Sequence, residues 1–154
     1  RGAWFGLTAD HDHASLYRAL LEGLAFEARQ SIDGLEGITG IPDIARIRAI
    51  GGNTQNALLM RIKASVYRRT MTATVMPEAT SLGAALLGGV AAGLWPTLEE
   101  AVAGLSVTYD RIDPSDPWVD LYERIYNDVY KNAYDALRPL NHALKRIATS
   151  SSGV

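Results

Sequence analysis

The stretch Arg48-Ala49-Ile50-Gly51-Gly52-Asn53-Thr54-Gln55-Asn56 decides the fold class of this chain. A short β-type run over residues 44–50 ends in the paired glycines, and a helical pattern begins directly behind them. Glycine has no Cβ, so Gly51 and Gly52 allow positive φ and let another group approach the backbone closely. The helix would direct its unpaired N–H groups at the same point. The pattern therefore predicts either a phosphate-binding turn or a turn that needs its glycines for steric reasons alone.

Apolar patterns along the rest of the chain alternate between strands and helices, which indicates an α/β fold with parallel pairing around the glycine turn. The small number of strands predicts a small sheet with several helices packed on it, and we expect an upstream portion of polypeptide to supply further strands. A domain over 1–148 and a polar, disordered tail over 149–154 are expected. Helices are predicted over 13–35, 54–68, 81–92, 97–105 and 118–138, and extended segments over 44–50, 70–75 and 107–112.

Several local features within these elements carry their own predictions. Leu20 and Leu24 lie beside the strip of Leu21 and Ala25, so the first helix is expected to be buried against a sheet. In the second helix Leu58, Leu59, Ile62 and Val66 are predicted to be buried. The helix over 81–92 is rich in small residues, which predicts close packing on a neighbour and an end at Gly93. Thr8 or Asp10 is expected to cap the first helix, and Pro139 to kink the last helix or begin a shorter one.

Composition excludes several classes of protein. The chain has 154 residues, of which 47% are apolar and 21% are charged, and this is typical of a soluble globular domain. A formal net charge of −2 gives no reason to expect a nucleic-acid partner or an anionic membrane. Cysteine is absent, which excludes disulfides, thiolate catalysis and cysteine-ligated metal and suits a cytoplasmic protein. The longest apolar stretch, 82–95, is too short to span a bilayer.

Four blocks of sequence stand out, and they cover the chain from residue 1 to about residue 95. In order they are Arg-Gly-Ala-Trp-Phe-Gly-Leu from residue 1, Leu-Tyr-Arg-Ala-Leu-Leu-Glu-Gly-Leu-Ala-Phe from 16, Ile-Gly-Gly-Asn-Thr-Gln-Asn-Ala-Leu-Leu from 50 and Pro-Glu-Ala-Thr-Ser-Leu-Gly-Ala-Ala from 77. Together they resemble the C-terminal domain of FGGY-type carbohydrate kinases, which include xylulokinases, glycerol kinases, fuculokinases and rhamnulokinases. The later part of the chain agrees more loosely.

This resemblance implies an actin-like, ribonuclease H-like fold in which ATP binds between two domains and the sugar or polyol lies deeper. Gly51 and Gly52 match the turn that approaches the ribose and α-phosphate, and Asn53 fills a place where some members have a third small residue. Asn56 matches the position whose amide borders the adenine, and an amide both donates and accepts. The small-residue helix would pack beneath this loop.

The same resemblance implies that part of the chemistry lies elsewhere. Phosphoryl transfer needs a carboxylate base and Mg²⁺ with phosphate-holding groups. In this family the base is an aspartate upstream of the matched region, and the β/γ-phosphate turn belongs to the N-terminal domain. We therefore expect no catalytic residue and no metal ligand in this chain, and the fragment alone to be inactive.

The residues also allow two other functional classes to be considered. A catalytically silent interaction or oligomerisation domain could keep the same fold, and a homodimer is among the partners expected for the chain. A dinucleotide-binding domain is disfavoured, because Asn53 follows the glycine pair and no further glycine appears before Gly83.

Other polar and aromatic groups have structural interpretations that we favour over functional ones. The run Asp10-His11-Asp12-His13 suits a solvated helix start better than a metal site. Glu78 is expected to cap or fix the loop before the third helix, in preference to contacting nucleotide. Tyrosines recur every four residues from Tyr122 to Tyr134, which favours a half-buried stripe with hydroxyls reaching water over a stacking platform.

Overall fold

The computed structural model describes residues 2–40, 44, 46–76 and 78–151. Within them, helices alternate with short strands, a 3₁₀ turn (Gly52–Gln55) precedes the second helix, and a π-helical segment (Ile125–Tyr130) joins the last two helices. The elements are α1 (His13–Thr39), β1 (Ile47–Ala49), α2 (Ala57–Tyr67), β2 (Met71–Thr74), α3 (Ala79–Ala91), α4 (Leu98–Ala103), β3 (Tyr109–Ile112), α5 (Asp116–Arg124) and α6 (Lys131–Ser151).

The strands form one sheet in the order β1-β2-β3. Strands β1 and β2 pair in parallel, with Ile47 opposite Met71, which confirms the parallel pairing predicted around the glycine turn. Strand β3 pairs antiparallel to β2, with Ile112 opposite Met71. Strand β1 is shorter than the predicted run over 44–50. The N–H of Ile44 donates instead to Glu36 Oε1 at 2.8 Å, and Ala45 lies outside the described residues.

The core lies between α1, α2 and the helical segment after β3. Ala25 of α1 and Ile62 of α2 are fully buried at its centre. Apolar side chains of β1, among them Ile47, pack against the same cluster, so the sheet, α1 and α2 share one core. The buried members are Leu21, Ala25, Phe26, Leu59, Met60, Ile62, Ala64, Val66, Tyr67, Met71, Tyr122 and Tyr126.

Part of the apolar surface predicted to be buried is exposed. Leu20 and Leu24 of α1 are 53% and 59% exposed, and Leu58 of α2 is 39% exposed, whereas Leu59, Ile62 and Val66 are buried as predicted. The expectation for Leu20, Leu24 and Leu58 is therefore wrong within the described chain. Among the described residues α1 packs mainly on α2 and not on the sheet.

The tyrosine stripe packs its hydroxyls against α1. Tyr122 and Tyr126 are 1% exposed, and Tyr134 is 69% exposed. The prediction that the hydroxyls reach water is wrong for Tyr122 and Tyr126, because both side chains are buried and carboxylates of α1 accept hydrogen bonds from their hydroxyls. The hydrogen bonds are Tyr122 to Glu22 at 2.7 Å, Tyr126 to Asp33 at 2.7 Å and Tyr130 to Glu27 at 2.9 Å.

Helix α3 packs mainly on α4. The predicted close packing occurs at Gly89, whose Cα faces the ring of Trp95, but a Cβ added at Gly83 or Gly88 would meet no atom within 4 Å. The expectation of close packing is therefore wrong at those two glycines. Gly93 adopts φ +77 just past the end of α3, which confirms its role in ending the helix.

The last helices form one continuous run through the π-helical segment. Pro139 lies inside α6 and does not begin a new helix there. Helix α6 continues to Ser151, so 149–151 are helical where a tail was expected, while 152–154 lie outside the described residues.

Candidate nucleotide-binding site

The glycine pair forms a tight turn at the carboxyl end of β1. Gly51 has φ +86 and ψ −179, a region that residues with a side chain rarely occupy, so this position requires glycine. Thr54 stabilises the turn with two hydrogen bonds. Its backbone N–H and its side-chain hydroxyl donate to the Gly51 carbonyl at 3.0 and 2.8 Å. The local structure therefore follows directly from the sequence Gly-Gly-x-Thr.

The corner next to this turn is open. A Cβ added at Gly51 or at Gly52 would meet no atom within 4 Å. Gly52 and Asn53 are both exposed. Among the described residues, no side chain crowds the backbone of the two glycines, so these residues are compatible with the close approach of another group such as a nucleotide.

The α-helical N-terminus lies further from the glycines than predicted. Helix α2 begins at Ala57, and the 3₁₀ turn separates it from Gly51, so the predicted start at Thr54 is wrong. The reason is the side chain of Asn56, whose Oδ1 accepts the N–H of Leu59 at 3.0 Å and caps the helix at this point.

Asn56 belongs to the same loop as the glycine pair but is already engaged. Its Oδ1 is used by the cap, and its Nδ2 lies 3.4 Å from the hydroxyl of Tyr17 on α1. The side chain is half-buried. The structure thus brings Gly51, Gly52, Asn53 and Asn56 together on one loop, and it gives Asn56 a capping role that sequence reasoning missed.

Two adjoining hollows open beside this loop, at the carboxyl ends of the parallel strands. They measure about 330 and 350 Å³ and share Thr54 and Asp110 in their walls. Ligands of open α/β sheets bind at this end of the strands. Sequence reasoning missed Thr74, Met76 and Asp110, although the end of β2 beside a parallel strand was the available signal. The first hollow is lined by Thr54, Gln55, Ala57, Ala73, Thr74, Val75, Met76 and Asp110.

The acidic and histidine residues before α1 serve the helix start. Asp12 is the N-cap, because its Oδ1 accepts the N–H of Ser15 at 2.8 Å, so the prediction of Thr8 or Asp10 is wrong. That hydrogen bond holds the pKa of the Asp12 carboxyl below its usual value. The N–H of Thr8 donates to His11 Nδ1 at 2.9 Å. Across the part of the chain that the structure describes, no three metal-ligating side chains cluster together.

Glu78 stands at the N-cap position of α3 without accepting a backbone N–H. It accepts a hydrogen bond of 3.4 Å from the hydroxyl of Ser81 in the first turn of α3, so its side chain contacts the start of the helix and does not cap the backbone. Over the described residues, no helix is both long and apolar enough to cross a membrane.

Comparison with known proteins identifies relatives along most of the chain. The model of the FGGY family of carbohydrate kinases, C-terminal domain, matches residues 1–92. A glycerol kinase of Methylorubrum extorquens is 39% identical over 100 residues, which are 65% of this chain and 20% of the relative. A xylulose kinase of Lactococcus lactis is 31% identical over 146 residues, which are 94% of this chain and 28% of the relative. The chain thus spans a fifth to somewhat over a quarter of these relatives' length.

Solved structures show the same fold. Xylulose kinase from Rhodospirillum rubrum superposes with a TM-score of 0.70 at 29% identity, over 89% of this chain and 27% of its own. Plasmodium falciparum glycerol kinase, solved with ADP, superposes with a TM-score of 0.62 at 26% identity, over 83% of this chain and 26% of its own. Since these sugar kinases have the actin-like ATPase fold, the fold class expected from the sequence is confirmed.

Proposed function

Because the chain belongs to the FGGY family of carbohydrate kinases, we propose that it supplies the adenosine side of the ATP site in an enzyme that phosphorylates a sugar or polyol hydroxyl. The observation that carries this proposal is the open corner at Gly51 and Gly52. Its backbone is accessible, its glycine conformation is fixed, and it lies at the carboxyl end of β1. Those are the properties a nucleotide-approaching turn needs.

Each residue of the loop has a separate part in this proposal. Gly51 sets the turn, and Gly52 leaves room for the ribose and α-phosphate. Asn53 lies exposed beside them. Asn56 would offer its amide to the edge of the adenine. Its Oδ1 caps α2 and one N–H of Nδ2 faces the Tyr17 hydroxyl, so the second N–H of Nδ2 is the group proposed to meet the base. The adjoining hollow with Thr74 and Met76 is the space in which we place the base.

The phosphoryl-transfer groups belong to polypeptide outside this chain. Mg²⁺ bridges the terminal phosphates and neutralises their charge in such reactions. Because the matching family model is that of a C-terminal domain, we propose that the N-terminal part of the enzyme holds the ion and the general base. The isolated chain would then bind nucleotide without transferring phosphate. A cytoplasmic location is proposed with it, because the proposed phosphoryl donor is ATP.

Titration of the ¹⁵N-labelled chain with ATP tests the proposal. We expect amide shifts at Gly51, Gly52, Asn53 and Asn56, and smaller ones along α2. ADP should give the same pattern, because the chain contacts the adenosine side. Shifts confined to other parts of the molecule, or none at all, would contradict the proposal. Phosphate transfer to a sugar by the isolated chain would contradict the proposal that the general base and the metal ion belong to the N-terminal part of the enzyme.

A second candidate is a catalytically silent interaction domain that forms a homodimer. The exposed side chains of Leu20 and Leu24 favour it, because an oligomerisation surface presents apolar groups in this way. Sedimentation of the chain over a range of concentrations, with and without ATP, separates the candidates. Self-association without nucleotide-dependent shifts at Gly52 supports the silent domain.

A further inference from the structure

Two contacts set the orientation of the Asn56 side chain, which the proposed function places beside the base. Its Oδ1 accepts the N–H of Leu59 at 3.0 Å, and its Nδ2 donates to the hydroxyl of Tyr17 at 3.4 Å. The cap decides which end of the amide is the oxygen, because a backbone N–H needs an acceptor. The contact with Tyr17 then decides where one of the two N–H groups of Nδ2 lies.

These contacts leave Asn56 with one N–H to offer. An asparagine amide has two N–H donors on its nitrogen and two lone pairs on its oxygen. Tyr17 receives one of the donors, and the N–H of Leu59 occupies one of the lone pairs. The remaining donor suits a purine, because ring nitrogens and the carbonyl oxygen of purine bases accept hydrogen bonds.

The hydrogen bond between Tyr17 and Asn56 contributes little to the stability of the fold. Tyr17 is 54% exposed, and Asn56 is half-buried. Water can therefore replace either partner when the bond is lost, and the net contribution of such a bond is small. The contact acts on the orientation of the amide more than on folding.

Helices α1 and α2 are held together close to this contact. Arg18 follows Tyr17 on α1, and its guanidinium carbon lies 4.5 Å from the centre of the Trp118 ring. The guanidinium carbon of Arg61, on α2, lies 5.0 Å from the same ring centre. Cation–π contacts to one ring of α5 thus join both helices. The backbone that carries Tyr17 is therefore fixed relative to Asn56.

We propose that Tyr17 is a positioning residue for nucleotide binding. Its hydroxyl holds the Asn56 amide in the orientation in which the second N–H of Nδ2 meets the base. This inference rests on the proposed function, in which Asn56 borders the adenine. Without the hydroxyl the cap still holds Oδ1, but Nδ2 loses the acceptor that fixes it. The amide would then have to be ordered when the nucleotide binds, which lowers affinity.

A double-mutant cycle on this chain tests the inference. The dissociation constant for ATP is measured from the amide shift of Gly52 in the native sequence, Tyr17→Phe, Asn56→Ser and the double variant. We expect Tyr17→Phe to weaken ATP binding about threefold, near the lower end of what one neutral hydrogen bond contributes. In the Asn56→Ser background the same substitution should have no further effect, because the amide on which Tyr17 acts is gone.

Tyr134→Phe is the matched control, since it removes a hydroxyl from an exposed tyrosine of α6. It should leave ATP binding unchanged. Tyr17→Phe should also leave the urea midpoint unchanged, and it should shift the Nδ2 proton resonances of Asn56 before any nucleotide is added. These two measurements separate an effect on the amide from an effect on folding.

Several results would overturn the inference. They are native-like ATP binding by Tyr17→Phe, an additive loss in the double variant, or the same loss in Tyr134→Phe. A lowered urea midpoint for Tyr17→Phe, or unchanged Nδ2 resonances of Asn56, would overturn it as well. If the native chain shows the expected ATP shifts, any of these results refutes the role of Tyr17 and leaves the proposed function standing. The absence of ATP shifts in the native chain would contradict the proposed function and the inference with it.

Discussion

The hydroxyl of Tyr122 donates a hydrogen bond of 2.7 Å to Glu22 Oε1, across 100 residues of sequence. Arg18 completes the arrangement, because its guanidinium donates to the Tyr122 hydroxyl at 3.0 Å and to Glu22 at 2.8 Å. The tyrosine ring is almost fully buried and packs edge-on against Phe26 at 5.8 Å between centroids. These contacts attach α5 to α1 through both apolar and charge-assisted interactions.

Removal of the Tyr122 hydroxyl should destabilise the fold. Glu22 is partly buried, so water replaces the lost donor poorly, and Tyr122→Phe should lower the free energy of unfolding by about 1–2 kcal/mol. Tyr126→Phe should cost less, roughly 0.5–1 kcal/mol, because its partner Asp33 is exposed and can bind water. Urea unfolding of the two variants measures both values.

Tyr134→Phe is the matched control, since Tyr134 follows in the same stripe but is largely exposed. It should change the free energy of unfolding by less than about 0.5 kcal/mol. An equal loss in all three variants would mean that the hydroxyl partners on α1 do not contribute.

Stability should fall at alkaline pH because of the same tyrosine. Burial, with a contribution from the Glu22 hydrogen bond, raises the pKa of Tyr122 from 10.0 to about 12. Between these values the unfolded chain releases the phenolic proton while the native chain keeps it, so the free energy of unfolding decreases as pH rises. The contribution is fully present below pH 10 and is lost toward pH 12. Urea unfolding at several pH values in this window should show a steeper decline for the native sequence than for Tyr122→Phe. Equal slopes would refute this origin.

The two glycines of the turn should respond differently to substitution. Gly51→Ala forces a Cβ into a glycine-only conformation and should cost about 1–3 kcal/mol of stability. A Cβ added at Gly52 meets no atom within 4 Å, so Gly52→Val should change stability by less than about 0.5 kcal/mol. The valine side chain would nevertheless fill the open corner, so the ATP-induced amide shifts should be lost in Gly52→Val. Thermal unfolding and an ATP titration of both variants measure the difference, and undiminished ATP binding by Gly52→Val would argue against nucleotide approach at this turn.

Local signals in the sequence were sufficient for much of the fold. The helical period predicts α1 from residue 13, and the glycine pair predicts the turn after β1, because both depend on neighbouring residues only. The predicted end of α1 at residue 35 falls short of Thr39, since Gly37 is accommodated within the helix and Gly40, at φ +65, ends it. A single glycine lowers helix propensity without stopping a helix.

Features that depend on contacts between distant residues could not be predicted from the sequence. The carboxylates that accept the tyrosine hydroxyls lie about a hundred positions away, and no periodicity pairs Tyr126 with Asp33. The exposure of Leu24 depends on whether another element covers α1. The proximity of Gly51 and Asn56 could be predicted because both come from one loop, whereas Asp110 reaches the same region only through the antiparallel strand β3.

Substitutions of Asn56 should separate its role as a helix cap from its proposed role in nucleotide binding. Asn56→Ala removes the oxygen that accepts the Leu59 N–H and should cost about 1 kcal/mol of stability. Asn56→Ser keeps a capping oxygen, because serine caps helices about as well as asparagine, so its stability should stay close to that of the native sequence. Neither variant has the amide Nδ2, so both should weaken ATP binding. We expect a loss on the order of tenfold, as for one hydrogen bond to a purine. Parallel urea unfolding and ATP titrations resolve the two effects. Native-like ATP binding by Asn56→Ser, with a loss only in Asn56→Ala, would show that the residue acts through the helix cap and does not contact the base.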